Sequence, residues 1–242
     1  MLDFIIAGVQ RGGTTALHFY LSQHLEIFLP ERKELHFFDD EAIDWSAPDY
    51  TRLHRHFTGR KDSQIAGEAT PIYIFKHSCI ERIHRYNPAI RLITLLRDPV
   101  ERAYSQWSMR VKNRGERRSF SEAIRCPSAP GTRYIDRGLY AEQIAQVQAA
   151  FPAAQLLLFR SEDLRDEHAD TLDRVCRFLG VASFKAHPEP AIVNLASGGG
   201  LPNMSADDRA LLSGIFRDDT GRTQALTGLD LSAWSPLQPK LH

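Results

Sequence analysis

The sequence has no excess of charge and no long apolar segment, and each absence excludes a class of protein. Its 30 Lys and Arg residues are balanced by 30 Asp and Glu residues. It therefore lacks the surplus of cations with which non-specific nucleic-acid binders displace counterions. No apolar run approaches the ~20 residues of a membrane-spanning helix. We expect neither a nucleic-acid partner nor a membrane span.

Cysteine is also scarce, with only Cys79, Cys126 and Cys176 present. Three distant cysteines can form neither a disulfide framework nor a zinc ribbon. Their odd number fits a reducing compartment, in which we expect them to be buried thiols. The N-terminal segment has Asp3 where a signal peptide would carry positive charge. These features predict a cytoplasmic protein.

The composition that is present indicates an ordinary folded chain. Hydrophobic residues make up 43% and charged residues 25% of its 242 positions, which predicts a single domain over 1–242. Apolar runs of strand length at 4–9, 64–68, 90–96 and 155–159 alternate with helical patterns that begin at 16 and span 100–112, 139–150 and 171–179. This alternation predicts an α/β fold, in which helices flank a central parallel sheet in three layers.

A glycine-rich loop joins the first strand to the first helix. Residues 8–15 read Gly-Val-Gln-Arg-Gly-Gly-Thr-Thr. Glycines let backbone N–H groups approach a phosphate, and a helix N-terminus adds partial positive charge. The loop is not a Walker A motif, because Thr14 stands where that motif has lysine and Arg11 precedes the glycines instead. A plain strand–helix turn is the other interpretation.

A second polar motif follows the strand at 90–96. Arg97 lies at the carboxyl end of this strand, where open α/β sheets bind ligands. Asp98 and Pro99 are typical of a helix start. Ser105 comes about two helical turns later, so its hydroxyl could share a target with Arg97. A capped helix beside a surface arginine is the alternative.

Together these motifs resemble those of sulfotransferases that use 3′-phosphoadenosine 5′-phosphosulfate (PAPS). The glycine loop is similar to their 5′-phosphosulfate loop, G-x-x-[RK]-[GS]-G-[ST]-[ST]. Residues 31–39, ERKELHFFD, resemble the K-E-x-H-F-F-D segment of bacterial sulfotransferases and the E-x-H-F-F-D segment of heparan sulfate 3-O-sulfotransferases. Residues 67–73, GEATPIY, are similar to the family's E-[KA]-T-P-x-Y. The resemblance continues to Trp234 and covers nearly the whole chain.

The resemblance implies a P-loop-like fold and an enzyme that transfers a sulfuryl group from PAPS to a hydroxyl group of a carbohydrate or glycoconjugate, with PAP as the product. We expect the transfer to be in line and to need no metal ion, because a sulfuryl group carries less negative charge than a terminal phosphoryl group. Glu34 would be the general base, with His36 and Asp39 orienting it or the acceptor. Arg11 would stabilise the charge that develops on the bridging oxygen. Residues expected to bind the nucleotide are Arg11, Gly12, Gly13, Thr14 and Thr15 at the phosphosulfate, Arg97 and Ser105 at the 3′-phosphate, and Tyr140, Gly198 and Gly199.

Some of these assignments have open alternatives. Glu34 could form a surface ion pair with Lys33, although in an extended segment Glu34 and His36 would share a face. Tyr140 is either a ligand-loop residue or a core aromatic. Ala69 replaces a lysine of the heparan enzymes, whose role is then empty or moved to Lys33. Basic residues over 110–118 could meet an anionic acceptor or cover a solvated helix end.

Two other functions compete with sulfuryl transfer. A P-loop nucleotide-dependent kinase would need the missing lysine and a carboxylate for Mg²⁺, for which Asp98 is the candidate. A nucleotide-binding interaction module without catalysis is the other. The sequence does not identify the acceptor or the oligomeric state.

Overall fold

The computed structural model describes residues 1–126, 133–190 and 201–237. Over these residues the chain packs as two units. Within the described residues, the first comprises 1–96 and 146–190, and the second comprises 97–126, 133–145 and 201–237. The prediction of one domain over 1–242 stays a prediction.

A parallel sheet of five strands forms the centre of the first unit. Its strands are β1 (Phe4–Gly8), β2 (Ile27–Phe28), β3 (Ile65–Ala69), β4 (Arg91–Leu96) and β5 (Leu156–Arg160). They lie in the order β2-β3-β1-β4-β5 and pair in parallel throughout. β1 lies between β3 and β4 in the sheet. The strand order therefore reverses at β1, and the loop after it is a topological switch point. The predicted α/β class is confirmed.

Within the described residues, helices alternate with the strands of the sheet along the chain. They are α1 (Thr14–Leu21), α2 (Thr51–His54), α3 (His77–Tyr86), α4 (Pro99–Asn113), α5 (Phe120–Arg125), α6 (Tyr140–Ala150), α7 (Ser161–Asp166), α8 (His168–Leu179) and α9 (Ala206–Thr227). Short 3-10 turns occur at Arg55–Phe57, Tyr73–Phe75, Asp136–Gly138 and Ala153–Gln155. None of the helices within the described ranges combines the length and apolarity needed to cross a bilayer.

Alternating side chains of β1 build the core of the first unit. Phe4 and Ile6 lie on one face of the sheet in a buried cluster with α1, α7 and α8. Side chains of α1 and α8 at helical spacing, including Leu17, Leu21, Val175 and Leu179, complete this cluster. This cluster therefore packs α1 and α8 against one face of the sheet.

In the second unit α4 begins as the sequence predicts. Asp98 Oδ1 accepts hydrogen bonds from the N–H groups of Val100 (2.9 Å) and Glu101 (3.4 Å), and Pro99 occupies the first turn. The other oxygen, Asp98 Oδ2, accepts the N–H of Ser235 at 2.7 Å. Both carboxylate oxygens therefore have structural partners.

One prediction about the cysteines is wrong. Cys79 and Cys176 are buried, but Cys126 is exposed. It is the residue that ends α5, directly after the last helical turn, and its N–H is donated to the carbonyl oxygen of Glu122.

Candidate active site

The glycine loop turns so tightly that a side chain has no room at its centre. Gly12 donates its N–H to Val9 O at 2.9 Å, and Val9 donates its own to Leu95 O at 3.0 Å. A Cβ on Gly12 would lie 2.5 Å from Leu95 O and 2.8 Å from Val9 Cγ2. Distances this short are excluded sterically, so only glycine lets the backbone take this path.

The glycine loop ends at the N-terminus of α1. Gly13 precedes α1 in the left-handed conformation with φ 99°, and no side chain among the described residues caps the first turn. Thr14 is buried and Thr15 is half-buried. Uncapped N–H groups and two hydroxyl groups are the donors that an oxyanion needs. The residues predicted to hold the phosphosulfate therefore fit such a group.

Ser161 is a neighbour of this loop that the sequence did not reveal. A Cβ on Gly13 would lie 3.9 Å from Ser161 Cβ. Ser161 is the first residue of α7, directly after β5. No spacing rule links positions 13 and 161, so only the packed sheet brings them together.

The segment that contains Glu34 is anchored to β3, the strand beside β1. Glu34 donates its N–H to the carbonyl oxygen of Ala69 at 3.1 Å, and Ala69 pairs with Ile6 of β1. The hydroxyl of Tyr73 accepts the N–H groups of Phe37 (3.0 Å) and Phe38 (3.3 Å). Ala69 ends β3 and the glycine loop follows the end of β1. Because these strands are parallel neighbours, the anchor and the loop lie at the same end of the sheet, the carboxyl end of its strands.

The backbone of this segment differs from the extended form considered above. Glu34 and His36 have left-handed backbones with φ 60° and φ 54°. Even so, His36 Nε2 lies 3.5 Å from Glu34 Oε2, and His36 Nδ1 lies 3.1 Å from Asp39 Oδ1. The structure therefore brings Glu34, His36 and Asp39 together.

Two lysines extend this cluster into a chain of alternating charges. Lys33 Nζ donates to Glu34 Oε1 at 2.8 Å, which confirms the Glu34–Lys33 ion pair as a contact without excluding a catalytic role. Lys76 Nζ lies 3.6 Å from Asp39 Oδ2. Lys76 was missed because it follows a 3-10 turn far from 31–39 in the chain. Within the cluster each carboxylate contacts two cationic groups.

These contacts control the protonation of the cluster. The hydrogen bond from His36 and the contact with Lys33 lower the pKa of Glu34 to about 2, despite burial. Hydrogen bonds to Asp39 and Glu34 raise the pKa of His36 to about 9. Burial would raise the pKa of Asp39, but the hydrogen bond and charge of His36 bring it below its ordinary value. Near neutral pH, Glu34 and Asp39 are ionised and His36 is protonated.

Glu68 precedes the anchor residue Ala69 on β3 and is fully buried. Thr70 Oγ1 donates to Glu68 Oε2 at 2.7 Å. Burial raises the pKa of Glu68 to about 7, and hydrogen bonds from Thr70 and Tyr73 oppose this rise. The same Tyr73 hydroxyl accepts the N–H groups of Phe37 and Phe38, so the motif at 67–73 holds the segment that contains Glu34 in place.

The second unit holds the remaining predicted residues. Arg97 directly follows β4, and Ser105 is buried on α4. Tyr140, only 1% exposed, donates its hydroxyl to the Arg97 carbonyl oxygen at 2.8 Å. Tyr140 therefore sits in the core and touches the backbone of a predicted binding residue. Gly198 and Gly199 lie outside the described residues.

Comparison with known proteins places these motifs in one family. The family model described as "Sulfotransferase domain" matches residues 2–197. Human heparan sulfate glucosamine 3-O-sulfotransferase 3B1 is 32% identical over 186 residues, which covers 73% of this chain and 45% of that protein. The human bifunctional heparan sulfate N-deacetylase/N-sulfotransferase 3 is 28% identical over 96% of this chain and 31% of its own length. The chain thus spans less than half the length of these curated relatives.

Solved structures show the same architecture. A sulfotransferase from Alicyclobacillus acidocaldarius superposes with a TM-score of 0.83 at 29% identity, covering 97% of this chain and 98% of that one. A mouse sulfotransferase solved in complex with PAP has a TM-score of 0.57 at 12% identity, covering 95% and 88% of the two chains. The second similarity is one of fold.

Proposed function

The chain belongs to the sulfotransferase family, and from that premise we propose that it transfers a sulfuryl group from PAPS to a hydroxyl group of a carbohydrate or glycoconjugate acceptor. One observation carries the proposal. An oxyanion cradle follows β1, and a carboxylate with two cationic partners is anchored to β3, the strand beside it. The proposed donor site and the proposed base therefore lie at the same end of the sheet, the carboxyl end of its strands.

The glycine loop is the proposed site of the 5′-phosphosulfate. Gly12 leaves space for close approach, and the first turn of α1 supplies N–H donors. Arg11, Thr14 and Thr15 add a cation and two hydroxyl groups, which would stabilise charge on the oxygen that bridges phosphorus and sulfur. Arg97 and Ser105 are proposed to bind the 3′-phosphate, with Tyr140 positioning the backbone of Arg97.

The transfer conserves atoms and charge. The acceptor oxygen forms a bond to sulfur as the bond between sulfur and the bridging oxygen breaks, and that oxygen leaves on PAP. The acceptor proton goes to Glu34, which the cluster keeps ionised. His36, protonated and in contact with both Glu34 and Asp39, orients the base rather than acting as one.

The structure argues against the kinase alternative at one residue. A P-loop kinase needs a carboxylate free to bind Mg²⁺ after the strand. Asp98 uses Oδ1 to cap α4 and Oδ2 to hold Ser235. Asp98 is therefore not free to bind Mg²⁺, and Thr14 stands in place of the Walker lysine.

Calorimetric titration tests the donor site. The protein is titrated with PAP, 5′-AMP and ATP, each with and without Mg²⁺. We expect PAP to bind independently of Mg²⁺ and to bind at least ~10-fold more weakly to Arg97→Ala. Arg165→Ala is the matched control, because Arg165 is an exposed arginine paired only with Asp166 among the contacts described. Binding of ATP with Mg²⁺ in preference to PAP would favour the kinase.

Turnover tests the base and the type of acceptor. Glu34→Gln is expected to lower kcat by ~10²–10⁴-fold with PAP affinity unchanged, the usual cost of removing a general base. Unchanged turnover of this variant excludes Glu34 as the base. Paired saccharides that differ by one hydroxyl or amino group separate O-sulfation from the N-sulfation named for one relative.

A further inference from the structure

A cavity of about 380 Å³ lies in the first unit next to the Glu34 segment. His36 and Asp39 form one part of its wall. Another part comes from α2 and the following 3-10 turn, which contribute Arg52, Arg55 and His56. The volume is at the small end of the ~300–1,000 Å³ typical of ligand pockets. It suits one sugar ring with a charged substituent.

Two arginines of this cavity have no acidic partner among the residues that the structure describes. Arg32 and Arg55 are both exposed and line the cavity. Arg52 differs, because its Nη2 lies 3.6 Å from Asp40 Oδ2. The acids of the wall are thus already paired, Asp40 with Arg52 and Asp39 with His36 and Lys76. The cavity is left with an excess of positive charge.

The positive charges of Arg32 and Arg55 also affect the third basic group that these two residues approach in the cavity wall, the ring of His56. Burial lowers the pKa of His56, and the positive charges of Arg55 and Arg32 lower it further. Like charges that converge on one cavity repel each other, and this repulsion disfavours the empty site. An anion bound among them would remove the repulsion and gain attraction instead.

We propose that this cavity is an acceptor subsite for an anionic group, a carboxylate or a sulfate, so that the acceptor is an acidic molecule. The inference rests on the proposed function, because it takes the hydroxyl to be sulfated to lie at Glu34. His36 belongs to both places: its Nε2 faces Glu34 and its side chain borders the cavity. An acceptor that fills the cavity therefore has its reacting hydroxyl within about one sugar residue of the base.

Matched monosaccharides test the proposal on the full chain saturated with PAP, which occupies the other anion site. The probes are glucose, glucuronic acid and glucose 6-sulfate, added at constant ionic strength. Binding is followed by the NMR signal of the His56 ring. Exposed ion pairs contribute only modestly to binding, so we expect the preferred acid to bind about 3-fold more tightly than glucose. Comparison of the two acids identifies the preferred group.

Three variants show whether the arginines are responsible. The double variant Arg32→Ala, Arg55→Ala is expected to lose the preference for the acid. Arg55→Lys, which keeps the positive charge, and Arg165→Ala, which changes an arginine that does not line the cavity, are expected to retain it. PAP affinity, measured on the same samples, is expected to be equal in all of them and shows that each variant is folded.

The two proposals fail in different ways. If PAP does not bind the unmodified chain, the proposed function is overturned. If PAP binds but glucose and both acids give equal shifts, or none gives a saturable shift, the anionic subsite alone is overturned. A preference that survives in the double variant also contradicts it, because the selectivity would then arise elsewhere.

Discussion

The buried carboxyl group of Glu68 predicts a specific dependence of stability on pH. Burial raises its pKa to about 7 from an ordinary value of 4.5, against the opposing hydrogen bonds of Thr70 and Tyr73. Between these pH values the folded chain keeps a proton on Glu68 that the unfolded chain has released. The free energy of unfolding therefore decreases as the pH rises through this window.

The size of the effect follows from the two pKa values. At about 1.36 kcal/mol for each pH unit, their difference corresponds to about 3.4 kcal/mol, of which about 2.5 kcal/mol falls between pH 5 and pH 8. In Glu68→Gln the group is neutral at every pH, keeps its shape and can still accept the Thr70 hydroxyl. We expect the variant to gain about 2.5 kcal/mol relative to the unmodified chain between these pH values.

Urea unfolding followed by circular dichroism measures this difference at pH 5 and pH 8. The comparison between chains at each pH cancels the titration of all other groups. Glu31→Gln is the control, because Glu31 is exposed and its substitution is expected to leave the pH dependence unchanged. A stability difference between Glu68→Gln and the unmodified chain that is the same at both pH values would refute the reasoning.

Three further predictions concern the glycine loop, the charge cluster and the start of α4. Gly12→Ala is expected to weaken PAP binding by at least ~10-fold in calorimetry, since its Cβ would lie 2.5 Å from Leu95 O; Gly214→Ala, where the Cβ meets nothing, should bind normally. His36→Asn removes the main cause of the low pKa of Glu34. In the variant we therefore expect kcat to decrease when the pH is lowered past about 4.5. The unmodified enzyme, whose Glu34 has a pKa of about 2, should show no decrease there. Asp98→Ala loses the cap of α4 and the contact with Ser235, and should lower the free energy of unfolding by about 1–2 kcal/mol in urea; an unchanged value would contradict the cap.

The sheet and the glycine loop could be predicted from the sequence because their signals are local. β1 is buried along its whole length, so it appears as a continuous apolar run. The glycines that end it stand where the backbone must turn tightly. The start of α4 was predicted for the same reason, because an Asp-Pro pair caps a helix through neighbouring residues.

Other elements escaped prediction because their signals are not local. β2 has only two residues and exists through its pairing with β3. α9 is 22 residues long, yet its apolar residues form no clear stripe, and its buried face is defined by α4 and α5. The cavity beside His36 combines Arg32 with residues some twenty positions later. No motif at one place in the chain encodes that combination.

The left-handed backbone at Glu34 and His36 was equally invisible, since neither residue is glycine. Such a conformation costs about 1–2 kcal/mol at each position and persists only where surrounding contacts hold it. Here Ala69 fixes the N–H of Glu34, and Tyr73 fixes the residues after His36. The strain brings the Glu34 carboxylate to His36, whose hydrogen bond is the main cause of its low pKa.

That contact has a consequence for the proposed mechanism. A carboxylate with a pKa of about 2 is always ionised but is a weak base. In the proposed function, His36 and Lys33 thus keep Glu34 ionised and ready to accept the acceptor proton near neutral pH, and the same contacts limit its strength as a base.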